Sequence, residues 1–229
     1  MSGMLEFLPL FVIIGLGAGL LAGLLGIGGG LLIVPSLSLL LARGGLAWPD
    51  AVYIAVATSM ASIVLTGAGS ALAHHRRGGV RWRRVGWLAP GLVAGAWLGS
   101  AGAAWIGGEA LARIFGVFAL AVAARLVWPR QPVPRSRDTA APWADTGVGV
   151  GVGLVSALVG IGGGSLNVPY LNWRGLAMAE AVGTAAACGL PLAAAAALGY
   201  ALGPGLAEPN WALLGAVHWP AALAIGAAG

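Results

Sequence analysis

The chain has 229 residues, of which 59 % are apolar and only 8 % are charged, and its mean hydropathy is +0.91. A soluble domain carries about 25 % charged residues, so this composition excludes an ordinary soluble fold. Long apolar runs without strand-like alternation predict an all-α, polytopic transmembrane helical bundle. The net charge of +5 comes from arginines clustered in short loops, which fits the positive-inside rule better than nucleic-acid binding.

Taken in chain order, the apolar runs predict the membrane segments. The first, at 5–25, is long enough to cross a bilayer, and Gly15, Gly19 and Gly23 give it a small-residue seam for close helix packing. A glycine-rich stretch then interrupts the apolar sequence before a shorter segment at 31–42. We expect the later membrane segments at 51–73, 85–107, 110–128, 146–159, 165–171, 180–202 and 211–229.

The loops between these segments predict the orientation of the bundle. Arginine is concentrated at 74–84 and 129–145, so the positive-inside rule places both loops in the cytoplasm. The loops at 43–50 and 203–210 are expected on the opposite side. The segment 129–145 is also rich in proline, which is typical of a linker between two units.

One sequence motif occurs twice. Residues 24–37 (LLGIGGGLLIVPSL) and 158–171 (LVGIGGGSLNVPYL) agree at ten of fourteen positions when they are aligned at an offset of 134. Self-similarity at a fixed offset indicates two copies of one structural unit. The sequence therefore predicts a first transmembrane repeat at 1–128, a linker at 129–145 and a second repeat at 146–229, which we expect to be C-terminally incomplete.

The duplicated motif should interrupt a helix in each repeat. Each of its three consecutive glycines costs about 1 kcal/mol of helix stability relative to alanine, and the proline that follows has no backbone N–H. If each motif is a helical hairpin, the second repeat is inverted; if each is one broken helix, the repeats run parallel. Glu6, Arg174 and Glu208 in the flanking loops fit the charge rule better with inverted repeats.

Glycine- and proline-interrupted segments at matching positions of two repeats point to a transporter binding site. Helix N-termini exposed by glycine offer N–H groups and a positive dipole end to an anion, and no arginine lies in these core segments. The alternative roles are helix packing for the glycines and bonding to their own helix backbone for the hydroxyls. The predicted substrate-binding residues are Gly28, Gly29, Gly30, Thr58, Ser59, Gly162, Gly163, Gly164, Asn167 and Thr184.

The chain resembles the sulfite exporter TauE/SafE family of membrane permeases. The resemblance is carried by Gly26–Gly30 with Val34-Pro35-Leu37, by Gly160–Gly164 with Asn167-Val168-Pro169-Leu171, and by Ala57-Thr58-Ser59 and Gly183-Thr184. It implies secondary transport of small sulfur-containing or organic anions, such as sulfite, sulfoacetate or thiosulfate. One departure is Ala185, which stands in the second copy where the first has Ser59.

Three function classes are compatible with the sequence to different degrees. A secondary anion transporter in the cell inner (cytoplasmic) membrane is favoured, an anion channel is the alternative, and an enzyme lacks a clustered catalytic set or a nucleotide motif. The expected partners are a small anion and the lipid bilayer; no nucleic acid, cofactor or metal is expected, and a homodimer is kept as an option. His74 and His75 are adjacent, so we expect headgroup-level residues rather than metal ligands.

Overall fold

A computed structural model describes residues 8–25, 29–127, 142–203 and 213–229. These ranges are almost entirely helical, which confirms the predicted all-α class, and a single short pair of antiparallel strands is the exception within them. The elements are α1 Leu8–Leu25, α2 Gly30–Arg43, α3 Trp48–Arg76, α4 Trp82–Ile106, α5 Gly108–Val127, α6 Pro142–Val159, α7 Gly164–Trp173, α8 Met178–Leu202, β1 Leu213–Leu214, β2 Val217–His218 and α9 Trp219–Ala228.

Among the described elements, α3, α6 and α8 are long and apolar enough to cross a membrane. Shorter apolar helices occur in α1, α2 and α9, and the predicted spans α4 and α5 run for 25 and 20 residues. The chain is therefore a multi-pass membrane protein. The predicted segment at 211–229 is not one continuous helix: the strands occupy its described beginning, Gly215 adopts a positive φ of 59° in their turn, and α9 begins only at Trp219, before Pro220.

Helices α3 and α8 form the centre of the bundle. Every residue from 51 to 60 in α3 is buried, so this part of the helix is covered on all sides. The two helices are antiparallel, since the Tyr53 ring packs against Tyr200 near one end while a Cβ on Gly183 would lie 3.2 Å from the Cβ of His74 near the other. Many α8 positions are Gly or Ala, which lets the neighbouring helices approach closely.

Small residues bring α4 and α6 together as parallel helices. A Cβ on Gly99 of α4 would lie 2.7 Å from the Leu154 carbonyl oxygen, and one on Gly149 of α6 would lie 2.7 Å from the Leu88 carbonyl oxygen. The predicted seam on α1 is of the same kind: a Cβ on Gly15 would lie 2.6 Å from the Ile225 carbonyl oxygen of α9. Both seams leave no room for a larger side chain.

The glycine motifs form hairpins rather than continuous helices with a break. A Cβ on Gly29 would lie 3.3 Å from the Cβ of Ala18, although eleven residues of straight helix would separate them by about 16 Å. In the second motif, α6 and α7 flank the turn at 160–163, and their outer ends meet where Arg174 contacts Asp145 at 3.2 Å. The chain therefore reverses direction at each motif.

The predicted linker at 129–145 is shorter than expected. Helix α6 begins at Pro142, so the last four residues of that range are helical, and Asp145 is fully buried; the remainder, 129–141, lies outside the described residues. The contact of Arg84 with Asp145 at 2.7 Å places the ends of both arginine-rich loops on one end of the bundle. Gly108 packs against Pro49 at the opposite end.

Candidate anion site at the glycine hairpins

The tips of the two hairpins touch inside the bundle. Gly30 packs directly on the Gly160 carbonyl, and a Cβ on Gly30 would lie 2.9 Å from the Cα of Ile161. Only glycine permits this approach of two backbones. The structure therefore brings together two motifs that are far apart in the sequence; Gly28, which was predicted to take part, lies outside the described residues.

The second tip is a tight, well-anchored turn. Gly160 and Gly163 have positive φ angles of 77° and 74°, which residues with a side chain rarely adopt. The hydroxyl of Ser59 donates a hydrogen bond of 2.8 Å to the Gly160 carbonyl oxygen. The Gly163 carbonyl accepts the N–H of Asn167 at 2.7 Å, which starts α7. Ser59, predicted as a substrate ligand, is thus seen to hold the turn in place.

A cavity of about 510 Å³ lies beside the two tips. Gly29 of the first motif and Gly162 and Gly164 of the second share its inner end, and α3 and α8 form its walls. Gly189 of α8 passes so close that a Cβ there would lie 2.8 Å from the Gly162 carbonyl oxygen. Three of the predicted glycines therefore face one common space at the hairpin contact.

Two buried polar side chains beside this turn have no hydrogen-bond partner. Asn167 is 0 % exposed and Ser156 is 2 % exposed, and neither the two amide atoms nor the hydroxyl bonds to any described residue. Both lie next to Gly163: a Cβ on that glycine would be 3.0 Å from Nδ2 of Asn167 and 3.6 Å from Oγ of Ser156. An unsatisfied buried polar group destabilises a fold by about 1–3 kcal/mol, so the pair is expected to have a function.

Ser156 was not predicted from the sequence, although a signal was present. When the two motifs are aligned at the offset of 134, Ser156, Ser165 and Asn167 of the second copy replace Ala22, Leu31 and Ile33 of the first. The polar differences between the copies thus concentrate around one turn. A position-by-position comparison of the repeats would have identified Ser156 together with Asn167.

The remaining predicted ligands hold backbone groups of the protein. The Thr58 hydroxyl accepts the N–H of His218 at 3.0 Å, and the Thr184 hydroxyl accepts the N–H of Arg81 at 3.0 Å. Both side chains are fully buried, and they share with Asn167 and Ser156 the property of not being among the described residues that line the cavity, whereas Ala185 is. The binding of substrate by Thr58, Ser59 and Thr184 therefore stays a prediction.

A buried ion cluster joins three helices at the arginine-rich end. Asp145 at the start of α6 contacts Arg84 of α4 at 2.7 Å and Arg174 after α7 at 3.2 Å, and it accepts a hydrogen bond from the Tyr170 hydroxyl. Both outer ends of the α6–α7 hairpin are thereby tied to α4. The cluster was not predicted, because the sequence pattern places Asp145 in a solvated linker.

A second ion pair joins the arginine loop to α8. Arg81, which lies between α3 and α4, forms a salt bridge with Glu180 in the first turn of α8. The hydrogen bond to the Glu180 carboxylate, and then its negative charge, raise the pKa of Arg81 above its ordinary value. Because Arg81 is exposed, this pair contributes positional order rather than much stability.

A helical membrane bundle with two contacting glycine hairpins and a polar internal turn defines a multi-pass membrane permease. The chain belongs to the sulfite exporter TauE/SafE family, whose model matches residues 11–229. The members of this class are membrane transporters and not enzymes, so the chain acts on a small substrate within a lipid bilayer.

Several curated proteins are similar to the chain. It is 35 % identical over 189 residues to "Probable membrane transporter protein" of Haemophilus influenzae, an alignment that covers 82 % of this chain and 72 % of that protein. It is 31 % identical over 172 residues to a protein of the same description from Methanocaldococcus jannaschii, with 73 % and 62 % covered. A third, from Bacillus subtilis, is 29 % identical over 180 residues, with 71 % and 66 % covered. No solved structure matches the chain significantly.

Proposed function

We propose that the chain is a secondary transporter that carries small sulfur-containing or organic anions, such as sulfite, sulfoacetate or thiosulfate, across the cytoplasmic membrane. The anion binds at the turn 160–163, where α7 begins. The observation that carries this proposal is the pair of unpartnered, buried donors on Asn167 and Ser156 beside Gly163. A bound anion would supply the acceptor that both groups lack.

The chemistry of this turn suits an oxyanion. The N-terminus of α7 presents a positive dipole end, and Gly162, Gly163 and Gly164 place no side chain between its N–H groups and a ligand. The Asn167 amide and the Ser156 hydroxyl add neutral donors. Binding by neutral groups leaves the anion weakly enough held to be released, which a transporter requires.

The arrangement of the hairpins supports inverted repeats at 1–128 and 146–229. Hairpin α6–α7 opens at the arginine-rich end, where Arg174 meets Asp145. Helix α2 leads through a short loop into α3, whose first turn packs on Gly108 at the opposite end. The hairpins would thus enter the membrane from opposite sides and meet at their tips. This is the geometry in which two inverted repeats enclose one site near the midplane.

Binding of sulfite to the purified protein tests the site. We expect Ser156→Ala to weaken sulfite affinity about tenfold or more, since a hydrogen bond to a charged group contributes about 1.5–3 kcal/mol. Ser38→Ala is the matched control, because Ser38 is also 2 % exposed but bonds its own helix at the Val34 carbonyl oxygen. Equal sulfite affinities in the two variants would contradict the proposed site.

The Asn167→Leu variant distinguishes a role of the Asn167 amide in sulfite binding from a role in stabilising the fold. Leucine has a similar volume and removes an amide whose atoms bond to no described residue. We therefore expect the variant to lose measurable sulfite binding while its melting temperature in the absence of ligand stays level or rises. Loss of binding together with a fall in melting temperature would instead mean that Asn167 supports the fold.

A further inference from the structure

We infer that the anion travels between the hairpin contact and the arginine-rich end along one polar face of α3, and that His74 binds it at the mouth of this path. The inference rests on the proposed transport of a small anion. It assigns a second, transient anion subsite to His74, which lies about two helical turns along α3 from Thr66. We call the three residues that form the face, Thr66, Ser70 and His74, the α3 polar face.

The α3 polar face follows from helix geometry. Its members are spaced four residues apart, and each step of four rotates the position by only about 40° around the helix. Three such residues therefore share one side of α3, and all three line the 510 Å³ cavity. Thr66 is at the inner end, where Gly29 and Gly162 also line the cavity, and His74 is at the end of the helix.

The opposite wall of the cavity has no polar side chain. It is formed by Val182, Ala185, Ala186 and Gly189 of α8, and none of the described residues that line the cavity is a carboxylate. Among the described residues that line the cavity, the polar side chains are therefore all on α3, and the Thr66 hydroxyl also donates a bond of 3.4 Å to the Ser62 carbonyl oxygen. The absence of negative charge from these described walls removes the repulsion that would otherwise exclude it.

The charge at the mouth favours an anion. His74 is followed by Arg76 and Arg77, and Arg81 lies in the loop that follows this end of α3. The carboxylates described at this end, Glu180 of α8 and Asp145 of α6, are already paired with arginines. Like charges clustered around an opening concentrate counter-ions there, so small anions should be enriched at the mouth.

The two adjacent histidines have different environments. His75 accepts a hydrogen bond of 3.1 Å from Nε1 of Trp82, and the two rings lie 5.3 Å apart. The His74 side chain instead lies between α3 and α8 beside Gly183 and lines the cavity, and its imidazole makes no hydrogen bond to a described residue. Its imidazole N–H is therefore available to a passing anion. This role differs from the headgroup position that the sequence suggested for both.

Thiol modification tests the path without knowledge of the substrate. Single cysteines are introduced as Ser70→Cys and His75→Cys in a Cys188→Ala background, in full-length protein in lipid vesicles. Each is treated with an anionic (sulfonatoethyl) and a cationic (trimethylammonioethyl) methanethiosulfonate. For each variant we compare the rate of thiol modification by the anionic reagent with the rate by the cationic reagent. We expect this anionic-to-cationic ratio to be about tenfold higher for Ser70→Cys than for His75→Cys. Equal ratios, or no reaction of Ser70→Cys with the anionic reagent, would overturn the inference.

Flux measurements test His74 itself with its neighbour as control. Uptake of radiolabelled sulfite into vesicles should fall about tenfold in His74→Leu, and His74→Gln, which keeps a donor, should restore most of it. His75→Leu should transport at close to the wild-type rate. Equal flux in His74→Leu and His75→Leu would contradict a role for His74.

The two proposals fail in different ways. If the anion preference at Ser70→Cys is present but Ser156→Ala and Asn167→Leu bind sulfite normally, the path stands and the site at the turn 160–163 is wrong. If those two variants lose sulfite binding while Ser70→Cys shows no anion preference, the site stands and the path along α3 is wrong.

Discussion

The two glycine hairpins share a sequence motif but differ in two properties that bear on binding an anion, a side chain and a backbone conformation. Ile33 and Asn167 occupy equivalent positions and are both buried, yet one is a hydrocarbon and the other an amide without a partner. Gly29 has a right-handed helical φ of −65°, whereas Gly163 is left-handed at 74°. The two copies thus form similar hairpins, and these side-chain and backbone differences make only the second hairpin polar at its turn.

The largest expected effect concerns the ion cluster at the open end of the α6–α7 hairpin. Asp145→Asn should destabilise the protein by about 3–5 kcal/mol, because it removes the buried carboxylate that the guanidinium groups of Arg84 and Arg174 share. The measurement is the free energy of unfolding in mixed detergent micelles. Glu109→Gln is the control, since its pair with Arg113 is exposed, and it should change stability by less than about 0.5 kcal/mol. Similar small changes in both variants would show that the cluster does not clamp the hairpin.

Exchanging apolar and polar residues between the two hairpins should change the free energy of unfolding in opposite directions. Ile33→Asn would bury an amide in the apolar surroundings of the first motif and should destabilise by about 3 kcal/mol. Asn167→Leu removes an existing unpartnered amide and should be neutral or stabilising in the same unfolding assay. If both substitutions destabilise equally, the polarity difference between the hairpins has no functional meaning.

A smaller effect is expected from adding one methyl group to each tip. Gly163→Ala places a Cβ at a left-handed residue and 3.0 Å from the Asn167 amide nitrogen, so it should cost about 1–2 kcal/mol and weaken sulfite binding. In Gly29→Ala the added Cβ would pack closely against Ala18, and the right-handed backbone at this position accepts alanine. This variant should therefore retain its sulfite affinity. Parallel losses of affinity would indicate that the two tips contribute alike.

Much of this arrangement was accessible from the sequence because it depends on local composition. Apolar runs and the duplicated glycine motif predict the helical bundle and the interruptions. Gly160 and Gly163 supply the positive φ angles of the second turn, whereas Pro35 and Pro169, which were expected to help interrupt the helices, lie inside α2 and α7. Interrupted segments at matching positions of two repeats pointed to one shared site, and the two motifs do meet. They meet through Gly30 and Gly160, which are not equivalent positions, and Gly160 was not among the predicted residues.

What the sequence did not predict depends on contacts between distant segments. Asp145 follows a proline-rich, basic stretch and resembles its solvated neighbours in composition, so only the folded chain shows its partners Arg84 and Arg174. The strand pair before α9 was not predicted because its residues are as apolar as those of a membrane helix. Ser156 lies in a glycine- and valine-rich helix, where the sequence gives no reason to distinguish it from a packing residue. Only the structure shows that its hydroxyl has no hydrogen-bond partner among the described residues.

The location of a bound anion tests the central claim most directly. Crystals grown with selenite, in which selenium replaces the sulfur of sulfite, would reveal the anion by its anomalous diffraction. We predict a peak beside Gly163, with selenite oxygens about 3 Å from Nδ2 of Asn167 and Oγ of Ser156. A peak at Gly29 and Gly30 in the first hairpin, or at Arg84 and Arg174, with none beside Gly163, would contradict the assignment of the site to the second hairpin.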